Sequence, residues 1–137
     1  MERRHFSSVP SRPLVLLVDA HVDTLALCAL ALSATGFDVV PATDGADAFR
    51  RACQLHPDII VTRLPMPHYD AWQFIQDMKQ NACDIPVVAL SDDLRAPIRK
   101  QPDHPGFAAF LATDCLPHEL AGALRQLVEK THVAGGR

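Results

Sequence analysis

Residues 14–19 read LVLLVD: five consecutive Leu and Val, then Asp19. The run has no alternation of apolar and polar residues, so it has no face to turn toward water. A strand of this kind is buried on both sides, as in a parallel sheet covered by helices. Similar short apolar runs recur at Phe37 to Pro41, Ile59 to Thr62, Pro86 to Leu90 and Ala108 to Ala112. Helical segments separate them. Val22 to Thr35 has helical length and composition and is stopped by Gly36. Thr43, Asp44 and Gly45 offer turn and cap chemistry before Ala46 to Leu55, which Pro57 ends. Ala71 to Gln80 carries Trp72, Ile75 and Met78 at helical spacing. A short fourth helix is expected over Pro97 to Gln101, and Pro117 to Lys130 places Leu120, Leu124 and Leu127 on one stripe.

Strand and helix alternate five times. That order predicts an α/β domain with a doubly wound parallel five-stranded sheet and helices on both faces. The domain is expected over residues 13–131, with loose tails at 1–12 and 132–137. The chain has 137 residues, 48% hydrophobic and 21% charged, the balance of an ordinary globular core. A net charge of −3, from 13 Lys+Arg against 16 Asp+Glu, argues against holding a nucleic-acid backbone by charge. No apolar run approaches the roughly 20 residues of a membrane helix, and residues 1–13 lack the apolar core of a secretory signal. A cytoplasmic location is expected. There, Cys28, Cys53, Cys83 and Cys115, too far apart for any CxxC pattern, are reduced core thiols rather than a redox pair.

In open parallel sheets, sites lie beyond the carboxyl ends of the strands. The positions to inspect are therefore Asp19, Arg63, Ser91 and Thr113. No histidine pairs with an acid at metal-ligand spacing, and no Gly-rich phosphate loop is present. Asp58 reads as a solvated strand-start residue, Asp70 as a helix cap, and Asp92 and Asp93 as solvated loop residues. His68 and His104 read as exposed loop histidines.

The stretches LVLLVDAHVD, PATDGADAF, HPDIIVTRLPMPHYDAW, IPVVALS and FAAFLATDCLPHEL carry a resemblance. Over about Pro13 to Lys130 the chain resembles the receiver domain of bacterial two-component response regulators. The resemblance implies a flavodoxin-like sheet of strand order 2-1-3-4-5. It also implies phosphoryl transfer from a histidine kinase to an aspartate, with Mg²⁺ held by acids and a lysine facing the phosphate. Carried over position by position, the nucleophile falls on Arg63, the acidic pair on Asp19 and Ala20, and the lysine on Thr113. The hydroxyl position is kept as Ser91 and the strand-five aromatic that signals to partners as Phe110. Nucleophile, one metal ligand and phosphate-binding cation are all absent, so no catalytic residue, bound metal or cofactor is expected. Arg63 is expected to replace the metal as counter-ion of Asp19 and to donate to Ser91, the alternative being a guanidinium that points into solvent.

The first helix has no charge between Asp23 and Asp38. With Leu27, Cys28, Ala31 and Leu32 assigned to the sheet side, Leu25, Ala26, Ala29 and Leu30 form an apolar outer face, an expected interface. The expected function is a stand-alone, degenerate receiver (not an enzyme) acting through protein contacts without phosphorylation. Its partner would be a histidine kinase, another regulator or a second copy in a homodimer. No output domain fits after Lys130, although the chain could equally be a piece of a longer regulator. Two alternatives are a phospho-accepting receiver using another acid with Mg²⁺, and a small-molecule sensor in the emptied pocket.

Overall fold

The computed structural model describes residues 12–64, 71–81, 84–91 and 106–135, with backbone alone for 71, 72 and 131–135. Five strands are present: β1 (Leu14–Val18), β2 (Asp38–Ala42), β3 (Ile59–Arg63), β4 (Val87–Ser91) and β5 (Ala109–Ala112). The described helices are α1 (Val22–Ala34), α2 (Gly45–Leu55), α3 (Ala71–Gln80) and α4 (Pro117–Gly135). All strand pairs are parallel, in the order β2-β1-β3-β4-β5. This is the doubly wound, flavodoxin-like sheet. The short helix expected over Pro97 to Gln101 lies outside the described residues, as do Asp70, Asp92, Asp93, His68 and His104.

The apolar runs are explained by the two cores they serve. Val15 and Leu17 of β1, Ile59 and Val61 of β3, and Val88 and Leu90 of β4 point to one face, where α1 and α4 add Leu25, Leu32, Leu120 and Leu124. Leu16, Val18, Ile60 and Val87 point to the other, against Ala48 and Ala52 of α2 and Phe74, Ile75 and Met78 of α3. Successive residues of a strand face opposite ways, so a strand between two cores must be apolar throughout.

Local chemistry sets the ends. The Asp44 carboxylate accepts from the Asp47 N–H at 2.8 Å and caps α2. His56 closes that helix in the left-handed region (φ 49°), donating its N–H to the Ala52 carbonyl, and Pro57 follows. Asp58 is not merely solvated: its carboxylate accepts from the Leu14 N–H at 2.7 Å and fastens the start of β1. Gly36 turns the chain out of α1 at φ 107°. There Arg125 of α4 lies over the Phe37 ring, 4.8 Å from its centroid, and donates to the Thr35 carbonyl at 2.8 Å. This contact ties α4 to the C-terminal end of α1.

Three further expectations change. Arg12 is not part of a loose tail: its guanidinium donates to Asp38 Oδ1 at 2.9 Å and to the Phe37 carbonyl at 2.8 Å, which fixes the entry to β1. The last helix continues through residues 131–135, because nothing in Thr131 to Ala134 breaks a helix before the glycine pair. The facing of α1 is also different. Leu25 is only 5% exposed and belongs to the core, and Ala29 packs partly against it, so neither forms an outer face. Leu27, assigned to the sheet side, is 67% exposed, and Leu30 is 69% exposed. The buried stripe is Leu25, Cys28, Ala29 and Leu32, a regular i, i+3, i+4, i+7 set. Leu25 to Leu32 is apolar at every position, so composition does not choose a face and packing on β1 decides.

Candidate functional site

The carboxyl ends of β1, β3, β4 and β5 bring Asp19, Arg63, Ser91 and Thr113 to one edge of the sheet. Asp19 leaves β1 with its N–H on the Ala42 carbonyl at 3.0 Å, and its side chain is 8% exposed. Oδ1 accepts from the His21 N–H at 2.9 Å, and Oδ2 accepts from the Thr24 hydroxyl at 2.7 Å. Oδ2 also accepts from Arg63 Nη1 at 3.4 Å. The expected ion pair is therefore formed, with the Arg63 side chain 24% exposed. Burial by itself raises the Asp19 pKa. The His21 amide, the Thr24 hydroxyl, the His21 ring and the Arg63 charge together outweigh it and hold the carboxyl below the ordinary aspartate value. Ala20 is exposed beside it and offers no donor atom.

Ser91 ends β4, buried, and its carbonyl accepts from the Thr113 N–H at 3.0 Å. The Thr113 hydroxyl is buried and has no hydrogen-bond partner among the described residues. Phe110, half-buried on β5, packs against Phe107 with ring centroids 5.2 Å apart and planes tilted by 51°.

A cavity of about 530 Å³ opens beside this edge, between α1 and the start of α4. Asp19, Arg63 and Thr113 line it, together with Cys28 of α1 and Cys115 of the turn after β5. Burial raises both thiol pKa values; the Asp19 charge and then Cys115 add to this at Cys28, and Glu119 and Asp114 add to it at Cys115. Cys28 and Cys115 were expected as reduced core thiols and do pack against the core, but their place in the cavity lining, and the Thr24 contact, were not expected. A Thr five residues after a strand-end Asp, in the first turn of the next helix, is the signal that could have found the contact.

The residues present do not fit Mg²⁺. That ion wants several hard oxygens in octahedral geometry. Among the described residues a single carboxylate, Asp19, faces this edge, both its oxygens already accept hydrogen bonds, and a guanidinium lies against it. No group of three His, Cys, Asp or Glu suited to a metal occurs among the described residues.

The sheet order defines a flavodoxin-like α/β domain with its polar cluster at the carboxyl ends of the strands. The chain belongs to the response regulator receiver domain family, whose model matches residues 15–125. It is therefore a receiver domain of two-component signalling. It is 40% identical over 81 residues to the transcriptional regulatory protein PrrA of Mycobacterium leprae, covering 59% of this chain and 35% of that protein. It is 25% identical over 127 residues to the sensor protein EvgS of Escherichia coli, covering 93% of this chain and 11% of that protein. The chain thus spans about a third or less of these curated relatives. The receiver domain of a Francisella response regulator superposes with a TM-score of 0.79 at 22% identity, covering 88% of this chain and 99% of that one. No helix among the described residues is long and apolar enough to cross a membrane.

Proposed function

We propose that this receiver takes no phosphoryl group and signals by presenting a constant surface to a protein partner. The Asp19–Arg63 ion pair carries the reading. In the family's chemistry a carboxylate attacks phosphorus while a metal neutralises the charge that develops. At the end of β3 this chain has a guanidinium, which is no nucleophile toward phosphorus. Its positive charge instead neutralises Asp19, the work the metal does elsewhere. Thr113 offers no charge at the position where a lysine would meet the phosphate. On this reading the domain is not an enzyme, needs no Mg²⁺, and is held in one state by its own ion pair.

The partner is a histidine kinase, another regulator or a second copy. The surface offered includes Ala26, Leu27 and Leu30 of α1, beside Val22, which is 65% exposed. Incubating the protein with acetyl phosphate and Mg²⁺ and weighing it intact tests the reading. An unchanged mass is expected. A stable gain of one phosphoryl group, abolished by replacing a single aspartate, overturns the proposal in favour of a substitute acid.

A further inference from the structure

We propose that the cavity between α1 and α4 is a binding site for a small uncharged molecule with an aromatic or alicyclic body and one hydroxyl or carbonyl oxygen. The walls are apolar: Leu27, Cys28 and Ala31 of α1 stand opposite Pro117 and Leu120 of α4. Leu90, Thr113 and the Asp19–Arg63 ion pair add to the lining. At about 530 Å³ the space lies within the range of small-molecule sites, roughly 300–1,000 Å³.

Charge chooses the ligand class. Asp19 and Arg63 line the cavity as an ion pair, so these two charges offset each other toward an entering ion. Asp114, exposed at the rim, repels anions. A cation gains little from Asp19, whose two oxygens already accept from His21, Thr24 and Arg63. One polar group in the lining stands apart: the Thr113 hydroxyl, buried without a partner. A rotation about χ1 carries the hydroxyl to another staggered position, where a ligand oxygen supplies the missing hydrogen bond. Leu27, 67% exposed at the mouth, becomes a lid contact for the apolar body. The site needs no phosphoryl chemistry, so it stands or falls apart from the reading above.

The cavity carries its own reporters, because Cys28 and Cys115 line it while Cys53 lies on α2. The probe is 2-naphthol, and the readout is slow alkylation by iodoacetamide at mildly alkaline pH, where a phenol of pKa about 10 keeps its proton and the small thiolate fraction still reacts, followed by peptide mass mapping. At about twice its dissociation constant, 2-naphthol slows Cys28 and Cys115 by about threefold and leaves Cys53 unchanged. Naphthalene-2-sulfonate gives no such protection. Thr113→Val, which keeps shape and removes one oxygen, weakens 2-naphthol by about fivefold to tenfold. Ala31→Trp fills the space and abolishes protection, with circular dichroism as the folding control. The proposal is overturned if 2-naphthol gives no saturable protection, if the sulfonate protects equally, or if Thr113→Val leaves the affinity unchanged. The last of these holds even should Ala31→Trp fail to fold.

Discussion

Arg63→Met removes the guanidinium but keeps a long apolar stem at the end of β3. At 3.4 Å and an effective dielectric near 20, the gross attraction between Arg63 and Asp19 is about 4–5 kcal/mol. Desolvation takes back much of it, because both side chains are mostly withdrawn from water. Asp19 also keeps its bonds from the His21 amide and the Thr24 hydroxyl, so its charge is not abandoned. A net loss of about 1–2 kcal/mol at neutral pH is expected, below the range for fully buried pairs. The pH dependence identifies the source. The Asp19 pKa is lowered in the folded state, so its contribution is complete above the unfolded aspartate value, near 3.9. It disappears as pH falls through the lower folded value. Urea unfolding of both proteins at pH 7 and near pH 3 should show the gap closing in acid. An equal gap at both pH values would mean that the loss is one of stem packing and would refute the electrostatic argument. No gap at pH 7 would refute it outright.

The same unfolding measurements separate the faces of α1. Leu25→Ala should cost about 2–4 kcal/mol and Leu27→Ala less than about 0.5, and the reverse order would restore the opposite facing. Thr113→Val should raise stability by about 1 kcal/mol by removing a buried hydroxyl that lacks a partner; a drop in urea midpoint would show that the hydroxyl is satisfied. The double change Leu27→Glu with Leu30→Lys should leave circular dichroism unchanged and reduce self-association or partner binding in sedimentation; unaltered association would make this face plain surface.

The sheet was legible because strands buried between two cores must be apolar at every position, and Leu14 to Val18, Ile59 to Val61 and Val87 to Leu90 are. The same uniformity hid the facing of α1. From Leu25 to Leu32 every residue is apolar, so no periodic signal distinguishes the side that meets β1. The Asp19–Arg63 pair was legible because strand order alone brings both residues to adjacent strand ends. The contact from Thr24 and the cavity were not. They depend on how α1 and α4 sit above the sheet, and no local pattern encodes that separation. Arg12 was missed for a similar reason, since its partners Asp38 and Phe37 lie far along the chain.

On the function proposed above, phosphoryl transfer fails for want of three groups: a carboxylate at Arg63, a second acid at Ala20 and a cation at Thr113. The direct measurement is acyl-phosphate formation from acetyl phosphate and Mg²⁺, read by intact mass, in a restoration series. Arg63→Asp alone should stay unmodified: its carboxylate faces Asp19 without the cation that now neutralises it, and one of the two should take a raised pKa. Adding Ala20→Asp and Thr113→Lys should yield a protein that gains one phosphoryl group. Full modification of the single variant, or of the unaltered chain, would contradict the account.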